Sequence, residues 1–335
     1  MHAKIEAIEY YFPPKMVSNA DLKEEFPDYD FDNFENKVGI ERRYIVEDET
    51  GLDLATKACE KLFLKINKSE IDFILYCTQS PDYYLPTTAC ILQDRLGLNM
   101  SIGALDFNLG CSGFVYGLSL AKSLIASGAA RNVLLVTAET YSKFINPKDR
   151  SNRAIFGDAA AASLITACEE DFIGEFIFGT DGSGFDKLIV KNGCAKNKFD
   201  ANAEEIIYGT SNIFTDNDLY MNGPEIFNFT SQFIPQHCLD VVKKNHLEVS
   251  EIDQFILHQA NAFMLNFMRK KMKVDQERFY IDLKDGGNTV SSTIPIALKR
   301  YAQNNTSGHM KNILLSGFGV GLSWAGCIIK INNSL

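Results

Sequence analysis

One cysteine in this sequence lies where a strand pattern changes into a helix pattern. Cys111 stands between Gly110 and Gly113, after the apolar strand end 105–107 and before apolar residues spaced by three or four that stop at Gly128. Unpaired N–H groups and the positive end of a helix dipole favour an anion at such a position. We therefore expect the Cys111 thiol to be biased toward the nucleophilic thiolate, with flanking glycines that admit a carbonyl group.

Two polar residues far downstream could act together with this thiol. His258 closes the apolar strand pattern 255–257, and Asn288 follows two glycines just before a predicted helix. A thiolate nucleophile, an imidazole donor and an amide that donates to an enolate oxygen together suit thioester chemistry. Each residue alone also fits a packing role, because free cysteines are among the most buried residues and a histidine at a strand end can be a satisfied core residue.

A glycine-rich segment, 316–321, follows the last predicted strand. It predicts a tight hairpin, and it does not match a complete phosphate-binding loop. Beside a catalytic thiol, its backbone N–H groups would be placed to stabilise an oxyanion.

The elements that must position these residues are predicted by an internal repeat. Ser-Glu-Ile-Asp at 69–72 recurs at 250–253, an offset of 250 − 69 = 181. The apolar run that begins with Asn at 132–135 is matched at 312–315, an offset of 312 − 132 = 180. Agreement between the two offsets predicts a duplicated α/β unit whose sheets are mixed but mostly parallel.

The repeat divides the chain into two halves, 1–170 with the cysteine and 171–335 with the histidine and the asparagine. Asn288 falls one residue from the counterpart of Cys111, so both are expected at helix starts near a pseudo-twofold axis. His258 is expected at the carboxyl end of a strand, the edge where open parallel sheets place their ligands.

Other segments are assigned no chemistry. The adjacent Arg42 and Arg43 are interpreted as a solvated surface, and the Asn-, Asp- and Gly-rich region 191–218 as an irregular surface insertion. Residues 221–224, Met-Asn-Gly-Pro, predict the start of a helix with proline in an early position.

Composition excludes several classes of protein. The 335 residues carry a net charge of −10, which argues against a nucleic-acid partner because such a partner needs a basic surface. Because we find neither a membrane-spanning apolar run nor a signal-peptide core, we expect a cytoplasmic protein without a membrane partner. The eight cysteines form no Cys-x-x-Cys pair, so we expect no metal.

Seven segments together resemble the β-ketoacyl-acyl-carrier-protein synthase III family, in the family's order and across nearly the whole chain. The resemblance implies a five-layered (αβαβα) thiolase-like fold, a homodimer, and no metal or redox cofactor. The segments are Lys37–Ile40, Gly110–Phe114, Phe156–Ala160, Met221–Gly223, His258–Asn261, Gly287–Thr289 and Phe318–Gly321.

The resemblance also implies a mechanism. Cys111 would be acylated by an acyl-CoA, with the backbone N–H groups of Cys111 and Val320 holding the oxyanion. His258 and Asn288 would then donate to the thioester carbonyl of a malonyl group on acyl carrier protein. Decarboxylation and Claisen condensation would give a β-ketoacyl product.

Further roles follow from the same resemblance. Lys37, Arg150 and Asn261 would bind CoA, and Leu85 would border the acyl pocket as a gate contributed across the dimer. A basic surface suited to an acidic carrier would comprise Arg269, Lys270 and Lys271.

Three positions depart from the better-known bacterial pattern: Asn33 replaces a tryptophan, Phe263 an arginine and Asn228 a lysine. They leave open a specialised condensing enzyme of a secondary-metabolite or surface-glycan pathway. Two other readings are acyl transfer from Cys111 to an amine, an alcohol or a second acyl thioester, and a non-catalytic carrier-binding scaffold.

Overall fold

The computed structural model describes residues 1–209, 211–305, 308–332 and 335. The elements up to residue 168 are β1 (His2–Tyr11), β2 (Lys15–Ser18), α1 (Asn19–Glu25), α2 (Phe31–Val38), β3 (Arg42–Ile45), α3 (Gly51–Phe63), β4 (Phe73–Cys77), α4 (Thr88–Arg95), β5 (Gly103–Phe107), α5 (Gly113–Ala126), β6 (Asn132–Glu139), α6 (Arg150–Ile155) and β7 (Ala159–Cys168). Those that follow are β8 (Ile177–Thr180), β9 (Leu188–Val190), β10 (Ile206–Tyr208), β11 (Asn212–Phe214), β12 (Leu219–Met221), α7 (Gly223–Lys244), β13 (Gln254–Leu257), α8 (Ala262–Lys271), α9 (Thr293–Asn304), β14 (Lys311–Gly319) and β15 (Ser323–Ile331).

Two large sheets repeat one strand order. The first runs β1-β7-β6-β4-β5 and the second β8-β15-β14-β13. A parallel bridge from Phe279 to Phe255 in β13 occupies the position that β5 has in the first sheet. Within the described residues, three strand pairs of these sheets are parallel and four antiparallel, so the expected parallel majority is wrong. The reason is that β7 and β15 each run antiparallel to both neighbours.

The repeat in sequence is a repeat in hydrogen bonding. Asp72 donates its N–H to the carbonyl of Asn132 (2.9 Å), and Asn132 donates its own N–H to the Asp72 carboxylate (3.0 Å). Asp253 and Asn312 form the same pair of bonds at 2.9 and 2.8 Å. In both halves the asparagine carboxamide also donates to the carbonyl two residues before the aspartate, at 3.0 Å. The predicted duplication is confirmed, while the division at residues 170 and 171 stays a prediction.

The helices separate and cover the two sheets. α5 packs against strands of both sheets, α9 lies beside it against β1, β7 and β13, α3 and α4 cover the first sheet, and α7 with α8 covers the second. This is the predicted five-layered arrangement. The apolar positions predicted for α5, at residues 114, 118, 121 and 125, are all fully buried, and Gly128 ends that segment with φ +78°.

Arg43 contradicts the expected solvated surface. It is fully buried, and its guanidinium donates to the carbonyls of Val17 (3.2 Å) and Ala154 (2.7 Å) and to Asn19 Oδ1 (2.7 Å). Burial lowers its pKa to about 10. The prediction failed because the acceptors come from β2, α1 and α6, which no local pattern around residue 43 reveals. Arg42 remains partly exposed.

The insertion 191–218 is more ordered than expected. It contains the hairpin β10–β11, and Tyr208 from this hairpin donates its hydroxyl to Asp149 at 2.6 Å. Asp149 also caps α6 by accepting from the N–H of Asn152. The insertion therefore packs on the start of the helix that carries Arg150.

Within the described ranges, no helix is both long and apolar enough to cross a bilayer. No group of three or more His, Cys, Asp or Glu side chains there could hold a metal ion.

The repeated hydrogen bonds predict matched effects on stability. Asn132→Ala and Asn312→Ala should each lower the free energy of unfolding by about 0.5–1.5 kcal/mol, because each removes one equivalent side-chain hydrogen bond. Urea denaturation measures this, with the exposed Asn202→Ala as control. A large loss in one variant with none in the other would show that the two motifs are not energetically equivalent.

Candidate active site

Cys111 is held by close approach of β14 to the turn before α5. The residue is 5% exposed and lies two positions before the first helical residue. A Cβ added at Gly317 would lie 2.7 Å from the Cys111 carbonyl oxygen, and one added at Gly319 would lie 2.8 Å from its Sγ. Only glycine at these positions lets the strand pass so near the cysteine.

The backbone N–H groups of Cys111 and Val320 face the Cys111 sulfur and lower the pKa of its thiol. These are the two groups predicted to hold an oxyanion, and the structure directs both to the reacting atom. Burial nevertheless raises the pKa of the Cys111 thiol to about 12, with a contribution from the charge of Glu139. The expected bias toward thiolate is therefore wrong, because exclusion of water outweighs the helix start and the two N–H donors.

His258 follows β13 and is 2% exposed. Its Nδ1 lies 2.7 Å from Thr293 Oγ1, and its ring meets Phe318 edge-on with 5.5 Å between centroids. Burial lowers its pKa to about 3, so the imidazole is neutral at physiological pH. Thr293 can donate to Nδ1 or to the Val290 carbonyl (3.1 Å), and donation to Nδ1 leaves the ring proton on Nε2.

Asn288 is 6% exposed and is fixed through main chain and side chain. Its N–H donates to the carbonyl of Ile155, and its own carbonyl accepts from Gly157, so it is bonded to the end of α6 and the residues after it. Its Oδ1 accepts from the N–H of Val290 at 2.9 Å. With Oδ1 used in this turn, the NH2 group is the end of the carboxamide suited to donate to a ligand.

Two of the predicted side chains, Cys111 and His258, lie at the end of β14, and Asn288 opens the turn that holds the partner of His258. Phe318 contacts His258, while Gly319 and Val320 contact Cys111. The segment 288–293 continues from Asn288 to Thr293, the partner of His258. Positions remote in the chain are thus brought together by one strand end and one turn.

The residues predicted to bind CoA lie on separate elements. Lys37 is exposed on α2, with Nζ 4.9 Å from the ring centroid of Phe263 on α8. Arg150 begins α6 and stacks on Tyr29 at 4.6 Å. Asn261 caps α8 by accepting from Met264 N–H at 2.8 Å, so its side-chain oxygen is already used structurally.

The predicted gate and carrier surface are exposed to different extents. Leu85 is 82% exposed on the loop after β4. Lys270 is exposed at the end of α8, and Lys271 donates to the carbonyl of Ser231 at 2.8 Å. Arg269 donates to the carbonyl of Val274 at 3.0 Å, which commits part of its guanidinium to the helix end.

Sequence reasoning missed two residues beside the predicted ones. Glu139 ends β6, is fully buried and lies near Cys111. A carboxylate that directly follows the apolar strand 133–138 was the available signal, since such a side chain is expected at the functional edge of a sheet. Tyr29 supplies an aromatic ring against Arg150.

Comparison with known proteins covers the full chain. Family models described as 3-oxoacyl-[acyl-carrier-protein (ACP)] synthase III and its C-terminal part match residues 105–182 and 242–331. A β-ketoacyl-[acyl-carrier-protein] synthase III of Clostridium perfringens is 36% identical over 98% of this chain and 99% of its own.

Solved structures give the same result. A crystal structure of a 3-oxoacyl-(acyl-carrier-protein) synthase III superposes with a TM-score of 0.96 at 44% identity, covering 99% of this chain and 100% of its own. A 3-oxoacyl-(acyl-carrier protein) synthase of Burkholderia xenovorans gives 0.91 at 35%, covering 99% and 95%. Sequence, fold and site geometry agree, and the chain belongs to the 3-oxoacyl-[acyl-carrier-protein] synthase III family.

Proposed function

We propose that this protein catalyses a decarboxylative Claisen condensation between an acyl group taken from an acyl-CoA and a malonyl group on acyl carrier protein. One observation carries the proposal: the backbone N–H groups of Cys111 and Val320 face the Cys111 sulfur, at the strand end that also contacts His258. We place this reaction in fatty-acid biosynthesis, which the similarity to β-ketoacyl-[acyl-carrier-protein] synthase III of Clostridium perfringens supports.

In the first half-reaction, the Cys111 sulfur attacks the thioester carbonyl carbon and the bond from that carbon to the CoA sulfur breaks. Because the thiol pKa is about 12, its proton must leave during the attack. The proton passes to the departing CoA sulfur, and the imidazole of His258 keeps its Nε2 proton for the second half-reaction. The N–H groups of Cys111 and Val320 stabilise the oxyanion of the tetrahedral intermediate.

In the second half-reaction, His258 and Asn288 donate hydrogen bonds to the thioester carbonyl of the malonyl group. The bond to the carboxylate breaks, CO2 leaves, and the electron pair is held as an enolate. The enolate carbon attacks the acyl carbonyl, the bond to the Cys111 sulfur breaks, and the resulting thiolate takes one proton from water. The product is a β-ketoacyl group on the carrier, and the atom balance needs no redox cofactor.

Charged groups at the surface suit the two substrates. Lys37 and Arg150 supply cations for the phosphates and adenine of CoA, with Tyr29 as an additional stacking surface on Arg150. Lys270 and Lys271 offer a local positive surface to an acidic carrier, despite the negative net charge of the chain.

A second copy of the chain would complete the acyl pocket. Tyr83, Tyr84 and Leu85 are consecutive and 61%, 77% and 82% exposed, which is costly for a monomer. β5 lies at the open edge of the first sheet with Leu105 partly exposed. We assign both features to a homodimer interface in which Leu85 borders the partner's acyl site.

The proposed nucleophile predicts a covalent adduct. Incubation with a panel of acyl-CoAs should add the mass of one acyl group to the protein, mapped by peptide mass spectrometry to Cys111. Cys111→Ala should abolish the adduct, whereas Cys238→Ala, at another fully buried cysteine, should retain it. If no donor acylates Cys111, the proposed function is wrong.

The proposed division of labour predicts separable half-reactions. Asn288→Ala should acylate within about threefold of the wild-type rate but lose about 10²–10³-fold in malonyl decarboxylation, because it removes a donor to the enolate oxygen. Release of labelled CO2 from a malonyl thioester measures the second step. Asn245→Ala at the end of α7 is the control, and wild-type decarboxylation by Asn288→Ala would refute the role.

The exposed gate predicts the oligomeric state. Light scattering after size exclusion should give the mass of two chains, and Leu85→Asp should weaken dimerisation by about tenfold or more. Leu64→Asp, at a leucine 87% exposed after α3, should leave the dimer intact. A wild-type monomer, or a Leu85→Asp dimer as stable as the wild type, would contradict the proposed interface.

A further inference from the structure

Glu139 is a fully buried carboxyl that the proposed mechanism does not use. It accepts from the backbone N–H of Gln79 (3.1 and 3.3 Å to its two oxygens), from Ser80 Oγ (3.2 Å) and from Ser291 Oγ (2.9 Å). These described hydrogen-bond donors are all neutral. A buried carboxylate held only by neutral donors is costly, so the neutral acid is favoured.

These bonds connect the two loops that flank the Cys111 turn. Gln79 and Ser80 begin the loop that leads to Leu85. Ser291 lies in the turn between Asn288, the predicted amide donor, and Thr293, the partner of His258. The Glu139 carboxyl therefore fixes the positions of the gate loop and of the turn that carries the second half-reaction.

The titratable groups that face Glu139 are themselves acids. They are Cys111 on the turn before α5, Cys77 and Tyr76 on β4, Tyr141 after β6, and Asp158 before β7. Negative charge on Glu139 raises the pKa of Cys111, Cys77 and both tyrosines. Its charge therefore opposes formation of the Cys111 thiolate.

We propose that Glu139 is a positioning residue that must be uncharged for Cys111 to react: as the neutral acid it holds both loops without adding negative charge near the sulfur. The proposal rests on the proposed function for acyl transfer, but the thiol reactivity it describes can be measured without any acyl donor. Burial raises the pKa of Glu139 to about 8, although the hydrogen bonds from Gln79, Ser291 and Ser80 lower it. The group is thus mostly neutral near pH 7 and becomes charged above pH 8.

The test is the pH dependence of Cys111 alkylation by iodoacetamide in the full-length protein, followed on the Cys111 peptide by mass spectrometry. Glu139→Gln keeps the size and the acceptor oxygen but cannot ionise. Rates for wild type and variant should coincide near pH 7, and the variant should be about three- to tenfold faster near pH 9.5, where the wild type carries the additional charge. Coincident profiles at every pH, or a variant slower at every pH, would overturn the proposal.

Two further variants separate charge from structure. Glu9→Gln makes the same change at a carboxyl in β1 that pairs with Lys65 and Lys299, and it should leave the profile unchanged. Ser291→Ala keeps the Glu139 carboxyl but removes a bond that lowers its pKa, so alkylation near pH 8.5 should be faster than in wild type. If Glu139→Gln does not fold, the proposal is tested by Ser291→Ala alone. A pH profile of Cys111 alkylation in Ser291→Ala that matches the wild type would then overturn the proposal.

Acylation by an acyl-CoA is measured in parallel on wild type and Glu139→Gln. Loss of the adduct in every protein, with the alkylation difference retained, would refute the proposed function and leave the role of Glu139 in thiol reactivity intact. Acylation of the wild type, with no difference in alkylation between wild type and Glu139→Gln, would support the proposed function and refute the role of Glu139.

Discussion

The close approach of β14 to the turn that carries Cys111 is the constraint on which the site depends. A strand can pass a cysteine at this distance only where it lacks side chains, and residues 317 and 319 are both glycine. The same approach brings the Val320 N–H to the sulfur and Phe318 to His258. One strand end therefore supplies the donor to the nucleophile and part of the environment of the imidazole.

Exclusion of water from this strand end shifts each titratable group in the site toward its neutral form. Burial raises the pKa of Cys111 to about 12 and that of Glu139 to about 8, and it lowers the pKa of His258 to about 3. Reactivity in such a site depends on directed donors and short distances more than on preformed charge. Because water is excluded, a charge that forms near the Cys111 sulfur has a large effect on the reactivity of the thiol.

The duplication explains why residues so distant in the chain can share one site. The two central helices, α5 and α9, lie between equivalent sheets, and each is preceded by a turn that carries a polar group. The two copies have diverged, so that one turn presents the thiol and the other the carboxamide. The equivalent Asp–Asn bonds of both halves maintain the shared framework.

Local patterns by themselves determined much of this molecule. Apolar spacing predicted α5 and its end at Gly128, and a repeated tetrapeptide predicted the duplicated framework. Residue type at helix starts indicated Cys111 and Asn288, and at a strand end His258. Only the tertiary structure decided that Arg43 is buried, that β7 and β15 make most pairings antiparallel, and that Glu139 lies near the thiol. The thiolate prediction failed for the same physical reason: a helix start acts within one turn of chain, whereas the exclusion of water that sets a pKa depends on every element packed around the group.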